Sequence, residues 1–152
     1  MSPRSSITVL AALAGLASFS AQAQPTLFER IGGEAKMHAV VEDFVDVMQA
    51  DDRINFTFAE TDLKKFKQLL YEQLCNLTQG PCRYTGRDMR TAHAKLNIDD
   101  AMFNALAEDL YVAFERQHVP YRLQNKVVAL LAPMQRDVVK PRSQRTYTGP
   151  PR

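Results

Sequence analysis

The chain has 152 residues, of which 45% are hydrophobic and 24% charged, enough for one globular domain with a sizeable core. Its six Gly and eight Pro exclude collagen-like and low-complexity architectures. With 19 Lys and Arg against 17 Asp and Glu, the net charge of +2 is too balanced for a nucleic-acid binder.

The first 23 residues have the pattern of an export signal. A single cation, Arg4, precedes an apolar run from Ile7 to Phe19, which is too short to span a bilayer as a helix. The run ends in Ala21-Gln22-Ala23, the small-x-small pattern that signal peptidase cuts. We predict a secretory signal over residues 1–23, a mature domain over 24–139 and a basic, disordered tail over 140–152. The expected location is the periplasm, without stable membrane insertion, and an uncleaved anchor is the alternative.

Two apolar stripes with helical spacing follow. The first, which begins after Gly32-Gly33, comprises Met37, Val40, Val41, Phe44, Val47 and Met48. Before the glycines lies a short turn with Leu27, Phe28 and Ile31. The second stripe comprises Leu63, Phe66, Leu69, Leu70, Leu74 and Leu77, and Thr61 or Asp62 precedes it as a candidate cap.

Cys75 and Cys82 flank a turn at Gly80-Pro81. In an oxidising compartment such a pair can close a small disulfide, and the alternative is two free thiols, one of them buried. The sequence leaves both open because the geometry decides. There is no Cys-x-x-Cys-His motif, which excludes c-type haem attachment, and no His lies near the pair to complete a zinc site.

An irregular segment from Gln79 to Lys95 separates two further stripes. The third comprises Phe103, Leu106, Leu110 and Phe114, opened by Asp99 and Asp100. The fourth comprises Leu123, Val127, Leu130, Leu131 and Met134, and Pro133 should kink that helix rather than end it. No alternating strand pattern occurs, so the predicted fold class is all-α, with a four-helix core and one long connection.

Of the three histidines, His93 is the candidate for chemistry. His38 and His118 fit structural roles at a helix start and a helix corner. His93 lies in the irregular segment between Ala92 and Ala94, so little bulk separates it from an approaching planar ligand. A neutral imidazole facing Phe and Leu side chains is how proteins hold haem iron by one axial bond.

Several sequence motifs resemble those of the group I truncated, or two-over-two, haemoglobins. They are Leu27-Phe-Glu-Arg-Ile-Gly-Gly33, Val40-Val-Glu-Asp-Phe44 and Tyr84-Thr-Gly-Arg-Asp-Met-Arg-Thr-Ala-His93. Phe103-Asn-Ala-Leu106 and Leu131-Ala-Pro-Met-Gln-Arg-Asp-Val138 continue the series. The resemblance covers about residues 26–139, with its elements in the family's order, and implies a two-over-two helical sandwich that holds one non-covalent haem b.

The resemblance also assigns candidate site residues. It implies that His93 is the proximal iron ligand and that Phe103 and Phe58 pack on the haem. Tyr84 and Arg87 could meet a haem propionate, or they could be a turn residue and a surface cation. Phe44, the last residue of the second family motif, is a further candidate for haem contact.

The residues expected on the gas-binding side of the haem differ from those that the family commonly has there. Val45 stands where relatives commonly have Tyr, and an ungapped count from Tyr84 puts Phe66 and Leu70 where the family often has Gln or another polar group. A lost hydrogen bond to oxygen is worth about 1.5–3 kcal/mol, or roughly ten- to a hundredfold faster oxygen loss. A shifted register would instead bring Gln68, Tyr71 or Gln73 inward.

The function that the resemblance implies is reversible binding of O2, NO or CO at haem iron, with oxygen transport as the generic role. One alternative is dioxygenation of NO, which needs an unidentified reductant. Others are a haem-free helical module that binds a partner and a periplasmic haem carrier.

Overall fold

A computed structural model describes residues 23–144, apart from the side chain of Arg142. Its α-helices are α1 (Leu27–Ile31), α2 (Gly33–Ala50), α3 (Leu63–Leu77), α4 (Met89–His93), α5 (Asp100–Arg116), α6 (Tyr121–Leu131) and α7 (Gln135–Val138). Short 3-10 helices lie at Asn55–Phe58, Ala132–Met134 and Arg142–Gln144. Within residues 23–144 there is no strand and no helix long and apolar enough to cross a membrane. The predicted signal falls almost wholly on residues 1–22, outside the described part.

Two layers of two helices form the body of the domain. Helices α2 and α3 pack together, as do α5 and α6, while α2 crosses α5 and α3 contacts α6. The faces that point between the layers are apolar, and Met37, Val40 and Phe114 have no exposed surface. The predicted all-α, two-over-two sandwich is therefore confirmed.

Two glycines allow the chain to reverse between α1 and α2. Gly32 has φ +126° and Gly33 has φ +69°, values that side-chain-bearing residues rarely adopt. A Cβ on Gly32 would also lie 2.8 Å from Lys36 Cβ. The reversal lets the Phe28 N–H donate to the Thr78 carbonyl at 2.9 Å, which ties α1 to the end of α3.

Aspartate side chains fix where three helices begin. Asp62 accepts from the Lys65 N–H at the start of α3, so Asp62 rather than Thr61 is the cap. Asp88 and Asp99 accept in the same way at the starts of α4 and α5. Each carboxylate satisfies a backbone N–H that has no partner within its helix and complements the positive end of the helix dipole.

The α-helix gives way to a 3-10 turn around Pro133, where the sequence analysis expects a kink within one helix. Helix α6 ends at Leu131, a 3-10 turn spans Ala132–Met134, and α7 resumes at Gln135. Pro133 lacks the N–H that an α-helix requires, so the hydrogen bonding tightens locally. Beyond α7, the Lys140 N–H donates to the Ile98 carbonyl at 2.9 Å. The predicted disordered tail spans residues 140–152. Its first five residues are described, with the 3-10 helix at Arg142–Gln144, and residues 145–152 lie outside the described part.

Cys75 and Cys82 form a disulfide, the first of the two alternatives that the sequence leaves open. Cys75 is fully buried on α3, so the bond fastens the loop after α3 to the core. Gly80 is required beneath it, because an added Cβ would lie 2.6 Å from Cys75 Sγ and 2.8 Å from Phe28 Cγ. The disulfide thus anchors the start of the connection that leads to α4.

Replacing both cysteines by serine should lower the free energy of unfolding by roughly 2 kcal/mol, because the unfolded chain loses a short covalent loop. Urea unfolding followed by circular dichroism measures this difference. Dithiothreitol should destabilise the wild-type protein by a similar amount and leave the double variant unchanged. Equal stability with and without the reductant in the wild type would contradict a closed disulfide.

Candidate functional site

His93 is the last residue of α4, and its ring is half-buried. Its Nδ1 lies 2.7 Å from the carbonyl oxygen of Met89, one helical turn earlier. A carbonyl can only accept a hydrogen bond, so Nδ1 carries the proton and donates it. In the neutral ring the Nε2 lone pair is then free to bind a metal.

Contacts on both sides hold the short helix α4 in place. Arg90 Nη2 lies 2.8 Å from Asp137 Oδ1, and α4 packs against α7. From α3, Gln73 Nε2 approaches Met89 Sδ at 3.2 Å. The backbone turn that presents His93 is therefore supported by its N-cap, by α7 and by α3.

A second apolar cluster, here called the pocket cluster, lies beside the main core. Its buried members are Val45, Met48, Ile54 and Ala105, and Phe58, Leu63, Phe66, Leu70, Met102 and Leu106 pack half-buried against them. The rings of Phe58 and Phe66 lie 5.3 Å apart between centroids, tilted by 52°. Large apolar side chains that stay half-buried leave a surface that a planar apolar ligand could cover.

The structure brings Val45, Phe58, Phe66 and Leu70 together in the pocket cluster. The ungapped count singles out Phe66 and Leu70, and the family resemblance singles out Val45 and Phe58. Their contact with a haem or a gas ligand stays a prediction. The three polar alternatives on α3 point elsewhere. Gln68 is exposed and donates to Glu72 at 3.1 Å, while Tyr71 stacks on His38 with centroids 3.8 Å apart. Gln73 contacts Met89 and Met134. None of the three belongs to the pocket cluster, so this register leaves the cluster apolar.

Four predicted site residues lie apart from the pocket cluster. Phe44 is buried in the main core, and Phe103 is half-buried in the first turn of α5. The Tyr84 hydroxyl donates to the Arg87 carbonyl at 2.8 Å, and burial raises its pKa. The Arg87 side chain is exposed. Tyr84 therefore shapes the turn before α4, and its hydroxyl already has a partner.

Several members of the pocket cluster escaped the sequence analysis as site residues. Met48 and Leu106 belong to recognised stripes, but spacing alone does not tell which end of a stripe meets a ligand. Ile54 follows a turn and belongs to no stripe, so no periodic signal marks it. It is 2% exposed because the turn after α2 folds it under α5.

The residues present fit a haem group. Within the described residues, no group of three His, Cys, Asp or Glu side chains could enclose a metal ion. A single imidazole with Nε2 available, together with a cluster of half-buried Phe and Leu side chains, matches instead an iron that brings its own macrocycle.

Comparison with known proteins agrees with this geometry. The family model described as bacterial-like globin matches residues 26–140. A group 1 truncated hemoglobin of Synechocystis is 34% identical over 109 residues, which covers 69% of this chain and 88% of the relative. A group 1 truncated hemoglobin of Tetrahymena pyriformis is 28% identical over 114 residues, 75% of this chain and 94% of the relative.

Solved structures show the same fold. The truncated hemoglobin from Tetrahymena pyriformis in its Fe(III) form superposes with a TM-score of 0.74 at 27% identity, covering 77% of this chain and all of that one. A 2/2 hemoglobin from Synechococcus, solved with covalently attached heme, gives a TM-score of 0.72 at 32% identity, with 76% and 98% covered. The chain therefore belongs to the bacterial-like globin family and resembles its group 1 truncated haemoglobins, and its cofactor is haem iron.

Proposed function

We propose that this globin holds haem b through His93 Nε2 and reversibly binds a diatomic gas on the opposite face. Haem-based binding of diatomic gases is the shared property of the family, and the residue assignment is the proposal. One observation carries it, the hydrogen bond from Nδ1–H to the Met89 carbonyl. That bond leaves Nε2 as the metal-binding nitrogen and aims the ring.

Haem supplies the iron at which a gas ligand binds, and the chain supplies everything around it. His93 would hold the iron through Nε2, and its hydrogen bond to the Met89 carbonyl fixes the orientation of the imidazole. Val45, Phe66 and Leu70, which share the pocket cluster, would line the gas side and exclude water, while Phe58 packs against Phe66. Phe103 is a further packing residue. Arg87, which is exposed just before α4, is suited to meet a propionate at the protein surface.

The apolar wall bears on which role is favoured. Val45, Phe66 and Leu70 present only carbon atoms, so they donate no hydrogen bond to a polarised gas ligand. Such a pocket favours fast release of O2 and discriminates little against CO or NO. It favours reversible exchange or transport over long storage. Dioxygenation of NO needs a long-lived oxygen complex and a reductant, and no contact described here favours it.

The disulfide supports export. Disulfides persist in the periplasm and other oxidising compartments and are rare in the reducing cytosol. The Cys75–Cys82 bond accords with removal of residues 1–23 as a secretory signal and a periplasmic location. Periplasmic haem loading would then follow translocation.

Replacing His93 by glycine should abolish the Soret band of the purified protein, because the only proposed axial bond is lost. Added imidazole should restore the band by occupying the vacated position. Absorbance after addition of haem measures both effects. His38→Ala is the matched control, since His38 stacks on Tyr71 and lies outside the proposed site. Undiminished haem uptake by the glycine variant would overturn the assignment of His93.

Replacing Leu70 by glutamine should slow oxygen dissociation by roughly ten- to a hundredfold, because the amide N–H can donate to the gas ligand. Stopped-flow displacement of O2 by CO measures the rate. Leu69→Gln is the control, because Leu69 is a half-buried neighbour that is not part of the pocket cluster. Equal rates for wild type and Leu70→Gln would show that Leu70 does not face the gas.

A further inference from the structure

A group of four charged residues lies where the turn after α2 meets α5. The group, here called the acid cluster, consists of Asp51, Arg53, Glu108 and Asp109. Arg53 Nη1 lies 2.6 Å from Glu108 Oε2 and Arg53 Nη2 lies 2.7 Å from Asp51 Oδ2. Asp109 Oδ1 is 3.9 Å from the same guanidinium. Three carboxyl groups thus share one cation.

Asp109 is the member with the least favourable surroundings for a charge. Its side chain is 6% exposed, and its buried Oδ2 has no hydrogen-bond partner within the described residues. Burial, together with the negative charges of Asp51 and Glu108, raises the pKa of Asp109 to about 6, although the positive charge of Arg53 opposes the rise. In its neutral form the Asp109 carboxyl can donate a hydrogen bond to Asp51.

The acid cluster directly adjoins the pocket cluster. Ala105 lies one helical turn before Asp109, and Ile54 directly follows Arg53, and both are buried members of the pocket cluster. The Ile54 N–H donates to the Asp51 carbonyl at 3.0 Å. The 3-10 helix that carries Phe58 begins at the next residue, Asn55. A shift of the turn at residues 51–54 would therefore move Ile54 and, through the 3-10 helix that follows, Phe58.

We propose that the acid cluster is a proton-operated latch on the haem pocket, in which neutral Asp109 holds the turn at residues 51–54 against α5 and ionised Asp109 loosens it. The inference rests on the proposed function, since it concerns regulation of the same pocket. Ionisation changes the formal charge of the cluster from −1 to −2 around one guanidinium. The added charge repels Asp51, which caps the end of α2.

The direction of the pH effect follows from the raised pKa. The folded protein binds the Asp109 proton more tightly than the unfolded chain, so this group stabilises the closed latch at low pH. That stabilisation is lost as the pH rises from about 4 through about 6. The pocket wall is then held more loosely at neutral pH than in mildly acidic surroundings.

The test compares haem release from wild type and Asp109→Asn, which keeps the shape of neutral Asp109. Transfer of haem to excess apomyoglobin is followed at several pH values, and the ratio of the two rates cancels pH effects that both proteins share. The ratio should be near one at about pH 5 and rise roughly three- to tenfold above pH 7, with a midpoint near the pKa. A ratio that does not vary with pH overturns the latch.

Two further variants sharpen the test. Arg53→Gln removes the opposing cation, so the midpoint should move to higher pH. Glu115→Gln removes an exposed carboxylate of the same helix and should release haem as wild type does. A midpoint that moves down or stays fixed in Arg53→Gln contradicts the arrangement described.

A measurement on haem-free protein separates the latch from the proposed function. Amide hydrogen exchange at Ile54 and Thr57 reports opening of the turn, because both N–H groups donate within it. The exchange rate in wild type divided by the rate in Asp109→Asn, here called the exchange ratio, should rise over the same pH range. If the protein takes up no haem but the exchange ratio still rises, the proposed function is contradicted and the latch is not. If the exchange ratio stays constant, the latch is contradicted and the proposed function is not.

Discussion

The hydrogen bond between His93 Nδ1 and the Met89 carbonyl is the interaction on which the site depends. It closes within a five-residue helix, α4, which is too short to be stable alone. Asp88 caps its start and Arg90 pairs with Asp137 on α7, so the helix forms because its neighbours hold it. The tautomer of His93 is thus a product of tertiary packing.

The sandwich supplies the second half of the site by leaving α3 incompletely covered. Of its apolar face, Leu74 and Cys75 are buried, while Phe66 and Leu70 remain half-buried. Leu70 packs against both the main core and the pocket cluster, so it joins the two. One helix therefore stabilises the fold at its C-terminal end and leaves apolar side chains half-buried in its N-terminal half.

The sequence predicts much of this fold because burial follows helical spacing. The four long stripes became α2, α3, α5 and α6, and aspartates mark their starts where the capping rules apply. The role of His93 could not be deduced from spacing, since α4 is short. Its small neighbours make it a candidate, and the family resemblance assigns it to the iron. Its hydrogen bond to Met89 required the structure.

Other features have no periodic signal at all. Asp109 belongs to a charged pair that resembles a solvated helix face, yet it is buried because the turn at Arg53 folds over it. Ile54 is hidden in the same way. The disulfide depended on the distance between two Cα atoms, 5.7 Å, which only the folded loop determines. Contacts made by loops were the least predictable part of the molecule.

The most direct test of the account is the absorbance spectrum of the dithionite-reduced protein under argon, before and after addition of CO. One imidazole on the iron and an apolar wall opposite predict a five-coordinate ferrous spectrum that CO converts to a six-coordinate one. A six-coordinate spectrum before CO is added would show that a side chain already occupies the gas side. That result would contradict the placement of Val45, Phe66 and Leu70 around an open position.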